Sequence, residues 1–164
     1  MSVSIALDEL LGYSDNERVK WRAWFTEDPV RLAIPFQPGG RFPTLGSLLD
    51  HVFLVERRHL SRLEGATPPA TSGVAADDVQ ALFEYSDLVR ADLRAFLAAL
   101  DDAEAGKPLV IAVMSGSFRM TKLTLATHIL LHEARHLAQL AYAARLAGHE
   151  PPGQHDYFYS KELR

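Results

Sequence analysis

The chain has 164 residues, a formal net charge of −4 and a pI near 5.9, which fits a single domain over residues 1–164 and argues against a basic nucleic-acid-binding face. It contains no Cys, which excludes a disulfide framework and a thiolate metal ligand and suits a reducing cytoplasm. No apolar run approaches the ~20 residues of a membrane helix, and residues 1–11 carry Asp8 and Glu9 without the basic stretch of a secretory leader, so the expectation is a cytoplasmic protein with no membrane partner.

A first helix is predicted over about residues 4–25, on Leu7, Leu10, Leu11, Val19, Trp21, Trp24 and Phe25. Gly12 interrupts it and can divide it into two pieces. Trp21, Trp24 and Phe25 default to core packing, with a pocket or a dimer interface as the other uses. Residues 35–43 are rich in Pro and Gly and read as a loop. Thr44 then offers an N-cap to a second helix, which Gly65 ends. Leu45, Leu48, Leu49, Val52, Val55, Leu60 and Leu63 follow the 3, 4 spacing of one helix face. Residues 66–73 are rich in Pro, Thr, Ser and Gly and read as a long connection.

The third helix carries the stripe Val79, Leu82, Phe83, Ser86, Val89, Leu93, Phe96, Leu97 and Leu100. Asp77 and Asp78 stand at its start, where the helix dipole favours anions. The pattern changes over residues 108–120: Val110, Ile111 and Val113 are β-branched and Ser115-Gly116-Ser117 resembles a turn, so a short hairpin or an irregular excursion is expected. A fourth long helix spans about residues 121–147, stopped by Gly148 with Pro151-Pro152 beyond. The predicted fold is all-α: a four-helix bundle with a long crossover connection and a short turn-rich or hairpin insert before the last helix. Tyr157, Phe158 and Tyr159 imply that the tail packs.

Three of the seven His stand at i, i+4 spacing on the last helix: His128, His132 and His136. Neighbours in this series share a face, but the first and third lie about 12 Å apart along a straight helix. Two of them can share one ion, and a second helix must supply the third ligand. His51, beside Leu48 and Val55 at the edge of the apolar face of the second helix, is the best donor. The spacing therefore points to His51 with an adjacent pair from His128, His132 and His136. Neutral imidazole suits zinc, nickel, copper and ferrous iron, and three protein ligands leave a position open, as in catalytic sites. The opposing reading is helix histidines bonded to neighbours or facing water. His149 and His155 are expected to face solvent, and His59 to lie at the core edge or surface.

Two motif readings compete. His132-Glu133-Ala134-Arg135-His136 spells the H-E-x-x-H of zinc proteases, in which the Glu is the general base. The extended form needs Gly and then His where Gln139 and Tyr142 stand, and Glu150 and Glu162 are the late carboxylates left to act as a further ligand. Glu56-Arg57-Arg58-His59 and Glu133-Ala134-Arg135-His136 are both E-x-x-H, the recipe of a di-iron carboxylate protein, with Glu17 or Glu27 and Glu84 as the lone carboxylates. That scheme leaves His51 and His132 without a role.

The sequence resembles the DinB superfamily of YfiT-like metalloenzymes from the first helix to about Pro152. The residues that carry the resemblance are Leu48-Leu49-Asp50-His51-Val52-Phe53-Leu54-Val55-Glu56 in the second helix, 128–139 in the last, where the family pattern is H-x-x-N-H-x-x-H-H-R-G-Q, and 145–152 at its end. Leu131 replaces the common Asn, Arg135 the common His, and Leu137-Ala138 the common Arg-Gly. The resemblance implies a bundle with a long crossover between helices two and three, a metal on His51, His132 and His136, and a homodimer. Some members are thiol-dependent transferases or isomerases that use mycothiol, bacillithiol or glutathione.

The function expected is a metal-dependent enzyme with zinc, nickel or iron on three His. It would act on a small-molecule substrate or a low-molecular-weight thiol as an S-transferase, isomerase or hydrolase. The rival is a non-catalytic stress or binding protein stabilised by its metal. Glu133 should point about 100° away from the ligand face and serve as an ion-pair or supporting residue. Glu56 is assigned to accept a ring hydrogen from His51 or a neighbouring His, and Gln139 and His128 to orient a ligand or substrate.

Overall fold

The structure, a computed structural model, describes residues 6–113 and 116–161. Helix α1 runs Leu7–Glu27 without a break, so Gly12 does not divide it. One Gly costs about 1 kcal/mol in a helix interior, which a continuous buried stripe of Leu11, Ser14, Arg18, Trp21 and Phe25 outweighs. The predicted start at Ser4 and the candidate ligand Glu162 lie outside the described residues.

A 3-10 turn, Pro29–Ala33, follows, with Asp28 accepting from the Val30 amide at 3.3 Å. The Pro/Gly loop then folds back on itself. Phe36 N donates to Pro43 O at 2.9 Å and Gln37 N to Phe42 O at 3.0 Å, around Gly39 at φ +73°. Thr44 caps α2, Leu45–Leu63: its Oγ1 accepts from Ser47 N at 3.2 Å, and Ser47 Oγ accepts from Thr44 N at 3.0 Å. The second bond completes a capping box with Ser where Glu or Gln is usual. Gly65, at φ +75°, turns the chain away after α2.

An extended crossover leads to α3, Val79–Ala99, which Asp78 caps by accepting from Ala81 N at 3.0 Å. A single-turn helix α4, Asp102–Ala105, comes next; it was not expected, and the Asp101 side chain caps it. The insert is a hairpin. Strands β1, Pro108–Val113, and β2, Gly116–Thr121, pair antiparallel with Ile111 opposite Phe118. The expected Ser115 turn position lies outside the described residues. Thr121 closes the hairpin and caps α5, Lys122–Leu146. The tail ends in a second 3-10 turn, Tyr157–Lys161.

The chain is thus mostly helical with a small two-stranded sheet. Helix α2 packs on α3 and α5, and α1 packs on the same two helices. Two apolar clusters form the core. One gathers Trp21, Phe25, Leu48, Val52, Phe83, Leu137 and Leu140; the other gathers Leu11, Leu60, Leu93, Leu125 and Ile129. Trp21, Trp24 and Phe25 are therefore core residues. Buried polar side chains from all four long helices add to this interior: Ser14 and Arg18 from α1, Glu56 from α2, Ser86 and Arg90 from α3, Glu133 from α5. No helix among the described residues is long and apolar enough to cross a membrane.

Candidate metal centre

The i, i+4 spacing on α5 stacks His132 and His136 on the face turned toward α2. Their rings sit 4.4 Å apart between centroids, with Nε2 facing Nε2 at 3.1 Å. From α2, His51 brings its ring to 5.2 Å from each of them. One nitrogen from each of the three rings lies within 4.8 Å of the other two. Among the described residues, no other group of three or more His or carboxylate side chains gathers in this way.

A tetrahedral ion with metal–nitrogen bonds of about 2.0–2.1 Å needs ligand atoms about 3.3 Å apart, and the His132–His136 approach is close to that edge. The donor set is three imidazoles, chemically suited to zinc, nickel or iron.

Tautomer and protonation favour a ligand role. His136 Nδ1 donates to Gln139 Oε1 at 2.5 Å, one helical turn on, which leaves its Nε2 lone pair facing His132. Burial, then the neighbouring His136 and Arg41, lower the pKa of His51 to about 4. Burial and the facing rings of His136 and His51 lower that of His132 to about 2. Burial lowers His136 as well, although its bond to Gln139 opposes this. All three rings are therefore neutral at physiological pH, the form that binds metal.

The walls come from residues that periodicity does not reveal. The loop before α2 lays Phe42 against His51, with ring centroids 4.4 Å apart, and 6.5 Å from His136. Arg41 stacks its guanidinium 5.0 Å from the centre of that Phe42 ring. Arg135, between His132 and His136 in sequence, is exposed. Arg58 lies seven residues after His51, on the same α2 face, and donates to Pro69 O at 2.9 Å and to Ala70 O on the crossover.

Of the two expected glutamate roles, that of Glu133 holds and that of Glu56 needs correcting. Glu133 is 1% exposed and points into the interior. Its Oε1 accepts from Arg18 Nε at 2.6 Å; its Oε2 accepts from Ser14 Oγ at 2.5 Å and from Arg90 Nη2 at 2.5 Å. It is an ion-pair residue, as its helical angle foretells, and not a base for a metal site. This removes the structural basis of the protease reading. Glu56 was expected beside His51. Instead its Oε2 bonds Arg18 and, at 3.2 Å, Arg90. The two E-x-x-H glutamates do meet, but around two guanidiniums that fill the place a di-iron site would require. Glu84 and Glu27 lie outside on Gln80 and Arg31, and Glu17 bonds Lys20 and His155.

The remaining histidines extend the cluster or hold the tail. The exposed His128 sets its ring 5.7 Å from His132 and 5.2 Å from His59. His59 is buried, with a pKa lowered to about 4 by burial and then Arg62. His155 was expected in solvent. Its Nδ1 lies 2.5 Å from Glu17 Oε2, its ring stacks on Trp21 at 5.6 Å, and its side chain is 24% exposed. His149 is half-buried, edge-on to Trp24 at 6.2 Å.

A family model described as DinB family matches residues 1–162, nearly the whole chain. No curated protein matches it. The chain belongs to the DinB family.

Proposed function

We propose that this DinB-family chain is a metal-dependent enzyme, with one divalent ion held by His51, His132 and His136. The observation that carries this reading is the convergence of three neutral imidazoles from α2 and α5, two of them with Nε2 atoms 3.1 Å apart. Zinc, nickel and iron all suit the donor set. When bound, such an ion supplies Lewis acidity at an open position, bringing the pKa of a water or thiol toward neutrality.

The protein's own residues do the rest. Gln139 fixes the tautomer of His136. Phe42 covers one side of His51 and keeps that side apolar. Glu133, Glu56, Arg18 and Arg90 hold the helices without contributing a base. The reaction we assign is thiol-dependent transfer or isomerisation, or hydrolysis, of a small molecule, with a low-molecular-weight thiol as co-substrate in the first case. That three imidazoles gather without a fourth His or carboxylate donor among the described residues supports this over a purely structural ion, for which a fourth protein ligand is usual. The pairwise packing of the four long helices supports a four-helix bundle, a single domain over residues 1–164, with the extended segment after α2 as its crossover. We further assign a cytoplasmic, homodimeric protein, on its lack of Cys and on its family.

The test is elemental analysis of untagged protein purified without added metal, beside His51→Ala, His132→Ala and His136→Ala. One equivalent of divalent metal in the wild type, lost in each folded variant, is expected. Wild-type protein that stays metal-free after incubation with zinc, nickel and ferrous iron defeats the reading. So does metal retained without His51.

A further inference from the structure

The charged side chains that act most strongly on the three His are arginines. The charged side chains whose fields reach His51 are Arg41, Arg58 and Arg135; those that reach His136 are Arg135 and Arg41; Arg135 reaches His132. The nearest acid in sequence to the α5 ligands, Glu133, is spent on Arg18 and Arg90 inside. Arg58 is bonded to crossover carbonyls. Arg41 and Arg135 are exposed, and neither has a carboxylate partner among the described residues. Arg22 pairs with Asp87, Arg31 with Glu27, Arg57 with Asp92 and Arg94 with Asp15, while Arg119 and Arg145, away from the three His, are exposed and likewise without a carboxylate partner among the described residues. A chain of net charge −4 has thus kept two cations unpaired beside a cluster that would itself gain positive charge on binding a divalent ion.

We propose that the site takes a small substrate bearing an oxyanion, a carboxylate or a phosphate, which Arg41 and Arg135 grip while its reacting group faces the metal. This rests on the metal reading above and names the substrate class for that site. The planar guanidinium fork matches a carboxylate or phosphate in two-point contact, which a lysine cannot reproduce. The stack on Phe42 holds the Arg41 fork at the edge of His51. Arg135 rides on α5 between the two α5 ligands, so its position is tied to theirs.

The experiment uses full-length protein loaded with cobalt(II), with cobalt content measured first. Sodium acetate, inorganic phosphate and neutral acetamide are then titrated while the visible cobalt spectrum is followed. One of the two anions should perturb the spectrum saturably, and acetamide should not; which anion binds more tightly identifies the oxyanion. Arg41→Gln and Arg135→Gln should each weaken that anion by about tenfold and leave cobalt stoichiometry unchanged. Arg135→Lys should fall between wild type and Arg135→Gln, and Arg145→Gln, farther along α5, should match wild type. Both arginines are exposed, so the variants fold, which circular dichroism checks. Anion affinity that is unchanged in the Arg41→Gln/Arg135→Gln double variant overturns the proposal and leaves the metal reading intact. So does acetamide binding as tightly as acetate. Failure of the wild type to take up cobalt overturns both.

Discussion

Glu133 Oε1 accepts the Arg18 Nε hydrogen at 2.6 Å in the interior, one residue after His132, whose Nε2 faces His136 at 3.1 Å. Adjacent residues on α5 thus serve different ends. Glu133→Gln should remove one carboxylate from a buried set of two carboxylates and two guanidiniums and leave positive charge uncompensated. The expected loss is about 3 kcal/mol of unfolding free energy, read by urea denaturation, with metal affinity changed by less than about threefold. A variant as stable as wild type but unable to hold metal would return Glu133 to the metal chemistry.

The difference between these two neighbours shows what the sequence makes legible. The candidate ligand pair is local: an i, i+4 repeat on one helix is visible in a string of letters, and His51 follows from the apolar face it borders. The hairpin and the helix ends follow from β-branched residues, from Thr44 and Asp78 caps and from Gly65. The interior network is not local. Arg18, Glu56, Arg90 and Glu133 are far apart in sequence, and nothing in their spacing says that two E-x-x-H glutamates will close on guanidiniums instead of metal. Arg41 and Phe42 are hidden for another reason: they lie in a loop whose path is set by main-chain bonds between residues 36 and 43, not by a side-chain period. His155 was misplaced because the tail's anchor, Glu17, lies at the other end of the chain.

Gln139 tests the tautomer argument. Its Oε1 accepts from His136 Nδ1 at 2.5 Å, so Gln139→Leu should free the ring to rotate and exchange tautomers. Metal affinity is expected to fall by about 10–100-fold, measured by competition with a chelating dye, with little change in the melting temperature of the metal-free protein. Affinity within threefold of wild type would show that the amide does not orient the ligand.

Acid should destabilise the metal-free protein through its histidines. The folded pKa values of about 4 for His51 and His59 and about 2 for His132 lie below the ordinary 6.5 of the unfolded chain. The unfolded state therefore binds protons first, and stability falls as pH drops from above 6.5 toward 4. The buried pair His59 and His132 should cost about 2 kcal/mol each between pH 7.5 and pH 5. For a chain of this size that is about 5–15 °C in Tm, read by differential scanning calorimetry. Glu133 acts with the same sign in a lower pH window. Burial raises its pKa, but Arg18 and Arg90 outweigh this and hold it at about 2, so its contribution is complete above 4.5 and is lost only as pH falls toward 2. A Tm flat between pH 7.5 and pH 5 would contradict the burial of these rings.

Two glycines on helices should respond to alanine with opposite signs. Gly46 opens α2 against the crossover, and a Cβ there would stand 2.0 Å from the Ala76 carbonyl oxygen and 3.3 Å from Leu32 Cβ. The obstacle is main chain, so relief requires α2 or the crossover to move, and α2 carries His51. Gly46→Ala should cost about 1–3 kcal/mol or more and weaken metal binding through the displaced His51. Gly12, in α1, has nothing within 4 Å of its would-be Cβ and a helical backbone free of positive φ. Gly12→Ala should therefore stabilise by about 0.5–1 kcal/mol and leave metal affinity untouched. Paired urea melts and metal titrations of the two variants check both. A Gly46→Ala protein as stable as wild type would mean that α2 and the crossover do not approach this closely, and the placement of His51 against α5 would have to be revised with them.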